Sequence, residues 1–267
     1  MSDVNVGLSA GFFDVDGTLL RRQLSIELHD AMIARKLVIM PSDVRQKIDD
    51  ALNAYKYRRG RYDEYIRLVT DAYYYRDLWK GMDVSLLRLV AGRIAKAKSA
   101  EMYEFTRELS LAAQATGRHR ALISGSPHEA VEALAEEYGI RIFLGSKMEH
   151  DGSVYTGKVE SHWVHCKDQA VQLLADRHGF ALEQSFGIGD TPSDVGIFEK
   201  VGYPIAFNPN SELLDVARAR GWPVVIENRN VILLLRWRNG RIEMPTLSEI
   251  LPQDLAAEVQ RRLPNLR

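Results

Sequence analysis

The chain has 267 residues, 46% of them hydrophobic and 27% charged, with a formal net charge of -1. That length and apolar content suit one large domain with a smaller insertion rather than a disordered segment, and the charge balance excludes a global pull toward nucleic acid or anionic membrane. The single cysteine, Cys166, excludes an internal disulfide and fits a reducing, cytoplasmic setting. No basic start followed by an apolar run opens the chain, and the longest apolar run, Val231 to Leu235, is far short of a span, so neither export nor membrane insertion is expected.

In chain order, Leu8 to Val15 reads as an apolar strand that ends abruptly at Asp16-Gly17-Thr18, a turn composition. From Ser25 to Glu101 the pattern is helical, with long stretches at Ser42 to Tyr57 and Val84 to Lys98, which reads as a helical insertion. An α/β rhythm then begins: helix Glu104 to Ala115, strand Arg120 to Ile123, helix Pro127 to Tyr138, and a strand pair from Ile140 to Val159 turning at Asp151-Gly152. Helix Lys167 to His178, strand Gln184 to Ile188, helix Ser193 to Lys200, strand Tyr203 to Phe207 and helix Ser211 to Arg220 follow. The chain closes with an apolar stretch, Val231 to Trp237, and a helix from Gln253 to Leu263. Strands separated by helices predict an α/β fold with a doubly wound parallel sheet, in which chemistry is sought beyond the strands' carboxyl ends.

Three strand ends carry polar clusters: Asp14-Val15-Asp16-Gly17-Thr18, Ser124-Gly125-Ser126, and Gly189-Asp190-Thr191-Pro192-Ser193-Asp194. Parallel strands end on one edge, so these clusters can converge, and grouped carboxylates repel by a few kcal/mol per close pair at an effective dielectric of about 20. A divalent cation is therefore expected. Oxygen donors at Asp14, Asp190 and Asp194, without a histidine or cysteine set, favour Mg²⁺ over zinc. Two features supply positive potential for an anion. Ser126-Pro127-His128-Glu129 reads as a capping box whose helix would aim backbone N–H groups at it, and Lys167 opens a later helix as a point charge.

With these residues in view, the chain resembles the haloacid-dehalogenase superfamily of phosphohydrolases, its phosphoserine-phosphatase-like branch in particular. The matching motifs are Asp14-Val15-Asp16-Gly17-Thr18-Leu19, the strand end at Ser124, Lys167, and Gly189-Asp190 with Asp194, in the family's order and spanning roughly Ala10 to Val225. The resemblance implies a Rossmannoid core over 1–20 and 105–230, a helical cap over 21–104, and a C-terminal extension over 231–267 packed on the core or at a subunit contact, which admits a homodimer. It implies Asp14 as nucleophile and Asp16 as the acid and base, with Mg²⁺ held by Asp14, Asp190, the Asp16 backbone carbonyl and Asp194, the last directly or through water. Ser124, the Gly125 amide, Lys167, Thr18 and Ser126 would bind the phosphoryl group. The implied activity is Mg²⁺-dependent hydrolysis of a small phosphate monoester through an aspartyl-phosphate. The alternatives are transfer to an acceptor alcohol from the same intermediate, and a non-catalytic phosphate-binding scaffold. Asp16 argues against a dehalogenase, because dehalogenases of this superfamily have no aspartate two residues after the nucleophile.

The cap implies a substrate small enough to enclose. Phosphoserine phosphatases resembling this chain have glutamate nine residues after the nucleophile, and this chain has Gln23. A neutral amide does not pair with an ammonium as a carboxylate would, so other amino alcohols, amino acids or polyols stand beside phosphoserine. Tyr55, Tyr57, Arg58, Arg59, Arg61, Tyr62 and Tyr65 offer either a face toward the ligand or ordinary helix packing. His162 and His165 have metal-like spacing without a second ligand pair, and Cys166 beside His165 reads as structural.

Overall fold

A computed structural model describes residues 8–56, 61–74 and 78–266. Among them one mixed sheet has the order β4-β3-β2-β1-β5-β6-β7-β8-β9. Its strands are β1 (Ala10–Phe13), β2 (His119–Pro127), β3 (Ile142–His150), β4 (Tyr155–Ser161), β5 (Phe186–Gly189), β6 (Tyr203–Phe207), β7 (Val224–Asn228), β8 (Val231–Arg238) and β9 (Arg241–Glu243). β3, β2, β1, β5, β6 and β7 run parallel, while β4, β8 and β9 are antiparallel additions at the two edges. β1 is buried along its whole length, as a central strand covered on both faces must be. Its order beside β2 and β5 brings the ends of all three to one edge.

Helices α1 (Leu24–Ala34), α2 (Ser42–Lys56), α3 (Tyr62–Tyr74) and α4 (Val84–Lys98) lie between β1 and the rest of the sheet in sequence. Asp83 caps α4 by accepting the Ser85 and Leu86 N–H groups. The remaining helices are α5 (Glu104–Ala115), α6 (His128–Glu137), α7 (Lys167–His178), α8 (Val195–Phe198), α9 (Ser211–Arg220) and α10 (Gln253–Arg262). One apolar core runs through Leu28 and Met32 of α1, Trp79, Leu87 and Val90 of α4, Val131 and Leu134 of α6, and Tyr155 of β4. Backbone hydrogen bonds from Gly81 to Tyr155 and from Val84 to Ser153 stitch the end of the inserted segment to the β3–β4 hairpin. α1 and α4 thus share a core with the sheet's own helices, and α2 packs chiefly on α3.

The C-terminal residues extend the sheet by β8 and β9 and return as α10 across α5, where Leu255, Ala256 and Val259 are buried and Arg118 grips Asp254 through two hydrogen bonds at 2.6 and 2.9 Å.

Two local expectations are corrected. β2 does not stop at Ile123 but runs on to Pro127, and α6 begins at His128 with Pro127 at its N-cap and no side-chain capping bond. The residue before a proline is driven to extended backbone, which keeps Ser126 in the strand and prevents the capping box expected there. A true capping box lies at Thr191 and Asp194, with Pro192 at the first helical position. That segment is a 3-10 turn over Pro192–Asp194 leading into the short α8, rather than one helix from Ser193.

Candidate active site

β1 delivers Asp14 to the sheet edge, where its N–H donates to the Ile188 carbonyl of β5 at 3.0 Å. The chain then folds tightly on itself: the Val15 carbonyl accepts from Leu19 and Leu20, and Gly17 donates to the Leu20 carbonyl. Gly17 has φ +84°, and a Cβ there would stand 2.1 Å from Asp190 Oδ2. Only glycine allows this turn to lie against the end of β5.

Lys167, the first residue of α7, is buried and places Nζ 2.6 Å from Asp14 Oδ1 and 2.6 Å from Asp194 Oδ1. Burial disfavours its charge, but the two carboxylates outweigh that and hold it protonated above its ordinary value. Burial pushes Asp14 up to about 7, with Lys167 opposing and Asp194 and Asp16 adding to the rise. Asp190 is also raised well above the usual range, by burial first and then by Asp14 and Asp194. Oxygens of Asp14, Asp190 and Asp194 lie within 4.8 Å of one another.

The carboxylates differ in what they have left to offer. Asp14 Oδ2 is buried and accepts no hydrogen bond among the described residues. Both Asp194 oxygens are engaged: Oδ1 takes Lys167, and Oδ2 accepts the Asp190 and Thr191 N–H groups, each at 3.0 Å, and the Thr191 hydroxyl at 3.2 Å. Asp194 therefore sits in the acidic cluster but shapes the loop that carries Asp190 and fixes Lys167. It keeps its place beside Asp14 and Asp190 in the cluster that could hold a cation, with Oδ2 taken by the Thr191 capping box and Oδ1 shared with Lys167.

Asp16 turns its carboxylate elsewhere. Oδ2 accepts the hydroxyls of Ser124 at 2.9 Å and Ser126 at 2.8 Å, and Oδ1 accepts the Leu24 N–H at the start of α1. Burial raises its pKa against these three donors, which favour the ionised form. Ser124 also accepts the Ser126 N–H at 2.9 Å.

A cavity of about 220 Å³ opens above these groups, lined from the sheet edge by Asp14, Asp16, Gly17, Gly125, Ser126, Lys167 and Asp190 and from the inserted segment by Arg21, Arg22, Gln23, Ser25, Tyr62 and Thr70 among others. Ser124 and Thr18 are fully buried and are not among the residues that line this cavity; the Ser124 hydroxyl donates to Asp16, and Thr18 Oγ1 lies 3.5 Å from Asp190 Oδ1. Gln23 is on the wall, and its side-chain carbonyl accepts the buried Tyr65 hydroxyl at 2.5 Å. Tyr62 reaches the Thr191 side chain, while Arg61 pairs with Glu212 at 3.5 Å outside the cavity. Tyr55 lies in α2, and Tyr57, Arg58 and Arg59 fall outside the described residues.

Arg21 and Arg22, not singled out from sequence, line the cavity. Arg21 pairs with the buried Glu227 at 2.7 Å and lies over the Tyr103 ring; Arg22 pairs with Glu27 at 3.3 Å and Glu101 at 3.2 Å. Their adjacency to Gln23 was the available signal. His162 is also on the wall, held down to about 4 by burial and by His165, and it is not joined by His165 in any metal-competent cluster among the described residues. Cys166 Sγ donates to the His162 carbonyl at 2.9 Å.

A cation fits this site on the chemistry of its donors. The cluster is made of carboxylate oxygens alone, one of them a buried Asp14 oxygen with no protein donor among the described residues, which suits a hard ion.

Several known proteins are similar to this chain. A probable phosphatase of Mycobacterium tuberculosis is 25% identical over 248 residues, covering 91% of this chain and 82% of that protein. A phosphoserine phosphatase of the same organism is 26% identical over 226 residues, covering 81% and 70%. Among solved structures, a protein of unknown function from Bordetella pertussis superposes with a TM-score of 0.66 at 22% identity, covering 82% of this chain and 99% of that one, which shows the shared fold. No helix among the described residues is long and apolar enough to cross a membrane. Since the haloacid dehalogenase-like hydrolase profile matches residues 12–199, a stretch that holds Asp14, Lys167 and Asp190 alike, the chain belongs to that hydrolase family.

Proposed function

We propose that this protein is a Mg²⁺-dependent phosphatase of small phosphate monoesters that works through an aspartyl-phosphate on Asp14, in the manner of phosphoserine phosphatases. The observation that carries this reading is the Asp14 carboxylate at the cavity, one oxygen held by Lys167 at 2.6 Å and the other without a protein partner among the described residues.

In the first half-reaction an Asp14 oxygen bonds to phosphorus while the bond from phosphorus to the leaving alcohol breaks, and Asp16 delivers its proton to the departing oxygen. In the second, Asp16 takes a proton from water, the water oxygen bonds to phosphorus, and the Asp14–phosphorus bond breaks to release inorganic phosphate. The raised pKa of Asp16 suits a group that must carry a proton in one half-reaction and lose it in the other. Lys167 and the Gly125 and Ser126 region face the phosphoryl group with positive charge and donors. Asp14, Asp190 and the Asp16 backbone carbonyl, with Asp194 directly or through water, would hold Mg²⁺, which when bound neutralises clustered negative charge. Ser124 and Thr18 act one layer behind, Ser124 by orienting Asp16 and Thr18 from beside Asp190. The single cysteine suits a reducing compartment, and we place the protein in the cytoplasm on that ground.

Purified protein with Mg²⁺ and p-nitrophenyl phosphate should release phosphate, and EDTA or Asp14→Asn should abolish release. Undiminished turnover by Asp14→Asn removes the covalent mechanism.

A further inference from the structure

Resting on the phosphatase reading, we infer that Gln23, fixed by Tyr65, makes this site selective for phosphate esters of uncharged, hydroxyl-bearing alcohols, and selects against leaving groups that carry an ammonium or a carboxylate.

The argument starts from the charges on the cavity's upper wall. The carboxylates in the cavity, Asp14, Asp16 and Asp190, come from the ends of β1 and β5, the phosphoryl side. Among the described residues the inserted segment adds none. An ammonium on the leaving alcohol would therefore lose its hydration without gaining a counter-ion, a cost that selects against it. The two cations that the described residues place on that wall are already matched. Arg21 is taken by Glu227, whose side chain is fully buried, and Arg22 is shared between Glu27 and Glu101. A substrate carboxylate would have to compete with these pairs.

What the wall offers instead is neutral hydrogen bonding. The Tyr65 hydroxyl donates to Gln23 Oε1 at 2.5 Å, and Tyr65 is fully buried, so the amide orientation is set from behind. With its carbonyl engaged, Gln23 presents its N–H groups as donors, and the hydroxyls of Ser25 and Thr70 can donate or accept. Ile66 adds an apolar contact. Donors and two-way hydroxyls beside the few apolar side chains, Ile66 and Val69, match a short polyol. The cavity, about 220 Å³, falls below the roughly 300–1,000 Å³ of drug-sized pockets, which holds the substrate to a few carbons.

The test is a kcat/KM comparison with Mg²⁺ on matched alkyl esters: glycerol 3-phosphate and erythritol 4-phosphate, O-phosphoethanolamine and O-phosphoserine, and 3-phosphoglycerate. The polyol esters should exceed the charged ones by at least about 10-fold. In Gln23→Glu the ratio of phosphoethanolamine to glycerol phosphate should rise by at least about 10-fold, since the new carboxylate supplies the missing counter-ion. Tyr65→Phe should shrink the wild-type preference by freeing the amide to turn. These ratios are internal to each variant, so a general loss of activity or folded protein does not move them. A wild-type enzyme that handles phosphoserine or phosphoethanolamine as well as the polyol esters overturns the inference, as does a Gln23→Glu ratio that stays put. Failure of the phosphatase reading looks different: no phosphate is released from any ester, p-nitrophenyl phosphate included, and the inference falls with it.

Discussion

The Asp16 carboxylate accepts the backbone N–H of Leu24, the first residue of α1. One hydrogen bond thus joins the turn that carries the nucleophile candidate to the root of the inserted helices, and the hydroxyls of Ser124 and Ser126 hold the other carboxylate oxygen from the end of β2. The proposed proton carrier is positioned by the sheet and by the start of α1 together.

Asp16→Asn keeps the shape and removes the transferable proton. Alkyl phosphate hydrolysis should fall about 10²–10⁴-fold. p-Nitrophenolate needs no proton to depart, so this variant should release close to one equivalent in a burst and then turn over slowly. Stopped-flow absorbance checks it, and an equal loss on both ester types with no burst counts against the two roles given to Asp16.

Lys167→Met leaves Asp14 and Asp194 buried without their shared cation. Unpairing buried charges costs about 3–5 kcal/mol of stability, and losing the charge beside the phosphoryl group should lower kcat by more than about 100-fold. Mg²⁺ should restore part of the stability by neutralising the same cluster. Urea unfolding with and without Mg²⁺ reads this directly, and a variant as stable as wild type would remove the structural half of the claim.

Gly17→Ala meets two obstacles, a φ of +84° and a Cβ 2.1 Å from Asp190 Oδ2. Backbone strain of this kind costs about 1–3 kcal/mol, and Asp190 must also move. The Mg²⁺ concentration for half-maximal activity should rise accordingly. Unchanged Mg²⁺ activation means the turn after β1 does not set Asp190.

His29 gives the fold a dependence on acid. It is fully buried in α1 with its ring edge-on to Trp79, and burial holds it down to about 3, opposed by its bond to the Ser25 carbonyl. Between that value and the ordinary 6.5 the unfolded chain binds a proton that the folded one refuses, so stability is lost as pH falls through this window. The loss attributable to His29 is about 3 kcal/mol by pH 4. Denaturation midpoints from pH 7 to pH 4 should therefore fall less steeply in His29→Leu than in wild type, whereas parallel curves would assign the acid sensitivity to other groups.

Much of this was legible locally. The helices at Val84–Lys98, Glu104–Ala115, Lys167–His178 and Ser211–Arg220 and the strand Tyr203–Phe207 follow from periodicity and turn residues. The acidic strand ends marked the site, because parallel strands deliver their ends to one edge. Ser126 shows the limit of reading neighbours alone: its spacing to Glu129 suggested a cap, but Pro127 kept it extended and Asp16 claimed its hydroxyl.

The amino-acid order by itself determined which groups exist at the sheet edge and that acidic ones are clustered among them. Only the tertiary structure decided how each is used: that Asp194 is engaged by Thr191, Asp190 and Lys167, that Glu227 crosses 206 positions to neutralise Arg21, and that Tyr65 turns the Gln23 amide. The physical reason is that a carboxylate or amide has few lone pairs and protons, and which partner takes them depends on distance in space between residues whose separation along the chain says nothing about it.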